Sequence, residues 1–479
     1  MKKYFYLLLI PTVFISCDQE DITFAPHNAV SDELVLNTEA DFENMVRGAY
    51  AHMIKNGGAD GYGQEFLIDS ECMTDNVITM NSGRGTNLDG YRYTSVASNS
   101  HFDYYDSAYR ASELASRVIN NIDKLNPSAI RNNLQGEALF IRALNHFDMV
   151  RIYGKIPTQS ADANLSLGMP YRTSFAPTAT PSRPTVAETY SLILADLIAA
   201  KDLIGTSNAL TAGRASKSAV YALLSRVYLY MGDYPKVIEY GNLATNNGTT
   251  AVCPRTSFTG LWDDANASGV LFKLRIEQVD GVTPGVAFSQ TTGQGIRSEF
   301  VVPKDFMDMF GATDIRKTAY TTTSAYAGNT YNHIIKYNGR LTGNPNIVDI
   351  KVIRIEEVYL NMAEAQYRID GTGLTYLDKV RAQRYNPFVS GGETGVALFD
   401  AIMKERRLEL AFEMDRFFTL KRLGLSVSRL STQGDFANGL GTLPEATSLN
   451  LPAGSFKWQL PIPQYQRDLN SNLQQNPGY

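Results

Sequence analysis

The chain has 479 residues, of which 44% are hydrophobic, so it can bury a substantial core and wholesale disorder is excluded. Its formal net charge of -5 excludes a general electrostatic footprint for nucleic acid. The aromatic residues are 27 Tyr and 22 Phe against only 2 Trp, so any aromatic binding surface must consist mostly of Tyr and Phe.

The first residues are typical of a targeting segment. Two lysines precede an apolar run, Tyr4–Ile15, that is too short to span a bilayer. The run ends in Phe-Ile-Ser-Cys, which resembles a bacterial lipoprotein lipobox and implies cleavage before Cys17 and acylation of its thiol. The alternative is an ordinary secretory signal with a chance cysteine. We predict a signal peptide over 1–16 and a lipid-anchored tether over 17–37.

Two further cysteines, Cys72 and Cys253, remain after Cys17. An oxidising compartment permits a disulfide between them, but separately buried thiols are the prediction we favour. The Cys and His residues have no spacing that suggests a metal site, and we predict neither a metal nor a cofactor.

Helical periodicity dominates the chain after the tether. Thr38 is a possible cap for the first helix, and Thr185 with Glu188 forms a capping box that opens a later one. The predicted helical scaffold covers about 38–55, 106–153, 185–247 and 351–424.

The segment Gly213–Ala244 predicts two antiparallel helices joined by a tight turn. Ala219, Leu223, Val227 and Met231 recur every four residues, which places them on one helical face. Gly-Asp-Tyr-Pro after Met231 ends one helix and starts the next. The pattern resembles a tetratricopeptide unit, which needs neighbouring helical pairs to bury its face. We therefore predict a mostly α fold, with a tetratricopeptide-like scaffold of helical pairs in one domain over 38–479.

Two loop-rich, partly β excursions interrupt the scaffold at about 56–104 and 248–350. The first is rich in Gly and polar residues, and the second has β-prone runs at Val270–Ile276 and His333–Tyr337. Long loops on a helical scaffold often carry function, so we predict the ligand site there.

Several stretches together resemble the SusD/RagB family of nutrient-binding outer-membrane lipoproteins of the Bacteroidetes. They include Gly136–Leu144, Arg183-Pro184-Thr185-Val186, Glu405–Glu413 running into Asp415–Arg422, and the terminal Asn476-Pro477-Gly478-Tyr479. Many relatives have a small residue where this chain has Met414. The resemblance covers essentially the whole chain.

The resemblance implies a helical scaffold with a loop-built ligand site and no catalytic activity. It also implies a SusC-like TonB-dependent barrel transporter as partner, for which the lipoprotein captures oligosaccharide at the outer membrane, facing outward. Oligopeptide is the alternative ligand. Thr74-Asp75-Asn76 matches a recurrent family stretch, so we expect Asp75 to fix its loop through side-chain to backbone bonds.

Glu409 and Glu413 lie one turn apart and invite a comparison with paired catalytic carboxylates. Arg406 stands three residues before Glu409, and Arg416 three residues after Glu413. That spacing predicts ion pairs along one helix. No nucleophile elbow, Walker A loop or H-x-x-x-H pattern occurs in the sequence.

A neutral oligosaccharide needs flat apolar surfaces for its C–H faces and fixed polar groups for its hydroxyls. We predict that the two excursions supply them. Two rival functions stay open, a tetratricopeptide adaptor that binds a protein and no nutrient, and a surface glycan hydrolase. The predicted ligand-binding residues are Arg84, Asn87, Tyr91, Tyr93, Arg297, Tyr320, Tyr326 and Tyr331.

Overall fold

A computed structural model describes residues 35–57, 61–100, 102, 104–176, 178–205 and 212–479. The predicted signal peptide, Cys17 and most of the predicted tether lie outside the described residues. Within the described part, none of the helices combines the length and the apolar character that a membrane span requires.

The regular elements alternate between long helices and short strands. The strands are β1 (Ile78–Thr79), β2 (Val270–Leu274), β3 (Gln290–Thr292), β4 (Gly295–Arg297), β5 (Phe300–Val301), β6 (Thr321–Tyr326), β7 (Asn329–Ile334), β8 (Ile350–Arg354), β9 (Val427–Ser428) and β10 (Asn450–Leu451). The helices are α1 (Glu39–Ile54), α2 (Glu65–Cys72), α3 (Leu88–Tyr91), α4 (Tyr105–Asn121), α5 (Ala129–Tyr153), α6 (Val186–Leu203), α7 (Lys217–Met231), α8 (Tyr234–Ala244), α9 (Val286–Ser289), α10 (Lys304–Met307), α11 (Arg316–Tyr320), α12 (Ile355–Asp370), α13 (Leu374–Arg381), α14 (Gly395–Glu409), α15 (Arg416–Arg422) and α16 (Gln464–Leu469).

The long helices pack one against the next. In order, α1 packs on α4, α4 on α5, α5 on α6, α6 on α7, α7 on α8 and α8 on α12, which also packs on α13 and α14. The helices bury apolar side chains against their neighbours in one large core cluster and a smaller one to which α12, α13 and α14 contribute. From Gly136 to Tyr153, α5 is buried on all sides. This arrangement confirms the predicted mostly α scaffold of tetratricopeptide-like helical pairs.

The helical hairpin α7–α8 matches its prediction closely. The Ser216 hydroxyl accepts a hydrogen bond from the backbone N–H of Ala219 and caps α7. Gly232 ends α7 at a φ of 77°, a left-handed conformation that glycine adopts without steric cost. Ala219, Leu223 and Val227 are fully buried. The predicted caps Thr38 and Thr185 also form, each in a capping box.

Three predicted segments differ from the structure. The helix predicted to begin at Lys351 begins at Ile355, because Ile350–Arg354 is a buried strand that pairs with β2 in an antiparallel ladder. The predicted scaffold segment 351–424 is interrupted between α14 and α15, where Phe412 and Met414 take positive φ values. The first excursion contains the buried helix α2, which sequence periodicity missed.

The second excursion is organised around a four-stranded antiparallel sheet in the order β3-β4-β6-β7. Strands β6 and β7 form a hairpin whose turn residues, Ala327 and Gly328, have φ values of 48° and 86°. Positive φ at both turn residues suits the right-handed twist of the strands. Strand β5 pairs with β1 of the first excursion, so the two excursions meet.

Cys72 and Cys253 are both buried free thiols. This confirms the prediction that they are separate and form no disulfide.

Candidate functional site

The Thr74-Asp75-Asn76 stretch contacts the Glu-Arg-Arg region of α14 and α15. The Asp75 carboxylate accepts hydrogen bonds from Arg416 Nε at 2.8 Å and Nη2 at 2.7 Å. Arg407 donates to the Asn76 side chain and to the Asp75 carbonyl oxygen. Asp75 therefore has the structural role we expected, but it acts mainly through an ion pair with a distant segment.

The pairing of Asp75 makes stability depend on pH. Burial alone would raise the pKa of Asp75, but the hydrogen bonds from Arg416 and the charges of Arg407 and Arg416 outweigh it and lower the pKa to about 2. A carboxyl group with a lowered folded-state pKa stabilises the fold above its unfolded pKa of ~3.9. We expect ~2 kcal/mol of stability to be lost as the pH falls from ~4 to ~2.

Asp75→Asn should remove that part of the pH dependence and lower stability at neutral pH, since Arg416 loses its partner. The measurement is urea unfolding followed by circular dichroism at pH values from 2 to 7. Asp123→Asn is the matched control, because Asp123 pairs with Arg131 while its side chain stays 93% exposed. If the difference in unfolding free energy between wild type and Asp75→Asn stayed constant over this pH range, the ion pair of Asp75 would not contribute to the pH dependence of stability.

The paired carboxylates Glu409 and Glu413 belong to a buried ionic network. Glu409 accepts hydrogen bonds from Arg384 at 2.8 and 2.9 Å, from Arg354 at 3.0 Å and from Arg316 at 3.2 Å. Glu413 pairs with Arg354 and Lys336. The predicted pairs along one helix, Arg406 with Glu409 and Glu413 with Arg416, are wrong. Helix α14 ends at Glu409, and both arginines pair with other carboxylates. Arg406 pairs with Asp415, and Arg416 with Asp75.

This network is suited to holding the fold. Burial would raise the pKa of Glu409, but Arg384, Arg354 and Arg316 outweigh it and hold the pKa well below its usual range. A carboxylate surrounded by three guanidinium groups is a poor proton acceptor near neutral pH. The side chains of Glu409, Arg384 and Arg316 are also completely buried.

Tyr320, one of the predicted ligand residues, lies inside this network. Its hydroxyl donates to the Glu409 carbonyl oxygen at 2.9 Å, and its ring packs edge-on against Trp262. The Lys336 ammonium lies 3.7 Å from the ring centroid. Because Tyr320 is fully buried, a ligand cannot stack on it without opening the core.

Most of the other predicted residues come together where the two excursions meet. We call this region the loop platform and define it as residues 80–87, 297–301, 326–331 and 435–442. Glu299 holds it together, because its carboxylate accepts from Arg84 Nε at 2.6 Å and from the backbone N–H groups of Arg84 and Thr86. Asp435 accepts in the same way from the backbone of Asn81 and Thr442.

Aromatic rings form the base of the loop platform. Tyr331 packs edge-on against Phe436 with ring centroids 5.4 Å apart, and its hydroxyl lies 3.3 Å from the Ser82 hydroxyl. Tyr326 joins the same apolar cluster. Both tyrosines are buried, so they support the platform and present little ring surface to solvent.

Of the remaining predicted residues, Tyr91 and Tyr93 lie beside the loop platform, and Asn87 and Arg297 lie within it. Tyr91 and Tyr93 are buried beneath the guanidinium of Arg429, at 4.0 and 5.3 Å from the ring centroids. Asn87 donates to Glu65 and Asp69 of α2. Arg297 is half-buried and donates to Gln290. Asn81, Arg84 and Thr86 are exposed, so their side chains contribute accessible polar groups to the platform.

Sequence reasoning missed Glu299, Asp435 and Phe436. No local pattern marks them, since their importance comes from partners far away in the chain. Within the described residues, the acidic, His and Cys side chains form no group able to hold a metal ion.

Two family models match the chain. Residues 28–229 match a SusD-like model described as starch-binding and associating with the outer membrane. Residues 309–479 match the model of the SusD family. The SusD-like protein P2 of Formosa agariphila is 26% identical over 541 aligned residues, which cover 100% of both chains.

Solved structures share the fold. A crystal structure of a candidate sugar binding protein from Bacteroides vulgatus gives a TM-score of 0.80 at 26% identity, covering 93% of this chain and 99% of that one. A SusD superfamily protein from Bacteroides thetaiotaomicron gives 0.79 at 25% identity, covering 92% and 100%. The two family models together match more than half of the chain. The chain therefore belongs to the SusD/RagB family.

Proposed function

We propose that this protein is a surface-exposed, lipid-anchored nutrient-binding protein of the outer membrane. It captures oligosaccharide and delivers it to a partner TonB-dependent barrel transporter. The observation that carries the proposal is the match of residues 28–229 to a model described as starch-binding and associating with the outer membrane. Acylation of Cys17 provides the anchor in this proposal, and the loop platform provides the ligand site.

The geometry of the loop platform supports that assignment. The side chains of Asn81, Arg84 and Thr86 offer amide, guanidinium and hydroxyl groups on one loop. Hydroxyl groups of a sugar need both donors and acceptors fixed in position. Glu299 and Asp435 hold the loop in position, so it loses less conformational entropy when a ligand binds.

The test is calorimetry of the chain from residue 18 onward, which keeps every described residue. The titrants are maltotriose, cellotriose, laminaritriose and mannotriose, with trialanine and other short peptides in parallel. Binding of at least one oligosaccharide supports the proposal. If only peptides bound, the ligand class would be oligopeptide, and if neither class bound, a protein adaptor would be the better interpretation.

Arg84→Lys should raise the Kd for the oligosaccharide that binds in the calorimetry roughly tenfold, which corresponds to ~1.4 kcal/mol. Lysine keeps a positive charge for Glu299 but loses the planar set of donors that a guanidinium presents. The melting temperature should stay nearly constant. Arg47→Lys is the matched control, since Arg47 also pairs with a glutamate, and its side chain is 70% exposed. An unchanged Kd in Arg84→Lys and in Asn81→Ala together would place the ligand elsewhere.

A further inference from the structure

A second concave surface lies between the connector after α5 and the C-terminal tail. We call it the tail cleft and define it by its lining segments, 155–167, 453–459 and 476–477. Its volume is about 490 Å³, within the range of roughly 300–1,000 Å³ that is usual for small-molecule sites. None of the residues that line it belongs to the loop platform.

An exposed aromatic ring stands at the tail cleft. Phe456 is 42% exposed, and Leu165 in the lining segment 155–167 is 83% exposed. Exposed apolar side chains of this size, gathered around one concavity, are typical of a binding surface. Pro477 adds a third apolar group to the same lining.

The terminal Asn-Pro-Gly-Tyr sequence holds this ring in place. The Asn476 side chain is buried, donates to the carbonyl oxygens of Tyr153 and Leu460 and accepts from Arg183. At Gly478, a Cβ atom would lie 2.5 Å from the Phe456 ring, so only glycine fits. Tyr479 also contacts Phe456 in an edge-on arrangement, with ring centroids 5.0 Å apart.

The floor of the tail cleft offers polar groups that the fold does not use. Gln459 donates to the Gln159 side-chain oxygen at 3.1 Å, and that oxygen also accepts from the backbone of Ile156. The amide nitrogen of Gln159 and the amide oxygen of Gln459 have no partner among the described residues. Thus one donor and one acceptor lie side by side in the lining. The Ser455 hydroxyl belongs to the same lining, accepts from the backbone N–H of Lys457 and keeps its own proton to donate.

We propose that the tail cleft is a second ligand site and that it binds a sugar ring of a neutral glycan. A sugar ring presents an apolar C–H face and a rim of hydroxyl groups. The Phe456 ring with Leu165 suits the face, and the paired glutamine amides suit adjacent hydroxyls, each of which both donates and accepts. A purely apolar partner would cover the two amide groups and leave them without hydrogen bonds, which is unfavourable.

The proposal takes its ligand class from the proposed function, but it uses different residues. Where one glycan is long enough to reach both sites, binding at the tail cleft raises its effective concentration at the loop platform.

The chain carries a reporter next to the tail cleft. Trp458 donates its indole N–H to the Pro452 carbonyl oxygen at 2.8 Å, and residues 453–455 after Pro452 line the cleft. Only one other tryptophan exists, Trp262, which lies in the ionic network. In a ¹H–¹⁵N spectrum the Trp458 indole N–H signal therefore reports on the tail cleft, and the Trp262 signal is an internal reference. The variant Trp262→Phe assigns the two signals.

The experiment titrates maltotriose, cellotriose, laminaritriose and mannotriose, with trialanine as a non-sugar probe, into the ¹⁵N-labelled chain from residue 18 onward. At least one oligosaccharide should shift the Trp458 indole signal and leave that of Trp262 in place. Phe456→Ala should raise the Kd from this shift at least tenfold. Leu165→Ala should raise it severalfold and cannot unfold the chain, because Leu165 is so exposed. Phe399→Ala, at a half-buried ring outside the cleft, is the matched control.

The outcomes separate the two proposals. A Trp458 shift that persists in Arg84→Lys and disappears in Phe456→Ala supports the tail cleft, whatever happens at the loop platform. If no oligosaccharide shifts Trp458, or if the shift is unchanged in both Phe456→Ala and Leu165→Ala, the tail-cleft proposal is overturned. If oligosaccharide binding then depended on Arg84 alone, the proposed function would hold with the loop platform as its site, and the tail cleft would have no part in it.

Discussion

Replacing Glu409 by glutamine should lower the free energy of unfolding by ~3–5 kcal/mol, the usual cost of removing one partner from a buried ion pair. The substitution keeps the size of the side chain but removes its negative charge. Arg384, Arg354 and Arg316 would then face each other with less compensation in a region that water does not reach. The measurement is the shift of the urea unfolding midpoint, followed by circular dichroism.

Glu445→Gln is the control for this substitution. Glu445 also pairs with an arginine, Arg92 at 2.5 Å, but its side chain is 58% exposed. Exposed ion pairs contribute ~0–1 kcal/mol, so the control should unfold almost as the wild type does. Equal midpoint shifts in the two variants would mean that the network around Glu409 is not holding the scaffold together.

The same network shows where sequence-based inference reaches its limit. The spacing of Arg406 and Glu409 correctly indicated that these charges form ion pairs, but it assigned the wrong partners. The actual partners of Glu409 come from α11, from the end of β8 and from the segment after α13. Helical periodicity is a local property and could be predicted, whereas convergence of distant segments is a property of the whole fold.

The loop platform illustrates the same distinction. Gly-rich and β-prone runs in the sequence predicted the two excursions. The loop platform, where they meet, contains the predicted residues Arg84, Arg297, Tyr326 and Tyr331. The burial of the tyrosines could not be predicted, because the groups that cover Tyr331 come from two other segments. Ser82 lies 249 residues away in the chain, and Phe436 lies in a loop that only the fold brings near.

Leu223→Ala should destabilise the scaffold by ~2–5 kcal/mol, since it removes a large side chain from a site that cannot fully collapse. Leu223 is fully buried in the middle of α7, and α7 packs against α6 and α8. The cavity would weaken the packing of the helical pairs without touching the loop platform or the tail cleft. Thermal unfolding measures the loss of stability, and calorimetry with a bound oligosaccharide measures the affinity of the folded fraction, which should stay constant.

Leu243→Ala is the matched control within the same hairpin. Leu243 lies near the end of α8 and is 44% exposed, so truncation there removes less buried surface. Its effect should be well below that of Leu223→Ala, because exposed substitutions typically change stability by ~0.5 kcal/mol or less. If Leu223→Ala lowered ligand affinity in the folded fraction as well, the scaffold would be coupled to the site. The division between a supporting helical stack and loops that bind would then have to be abandoned.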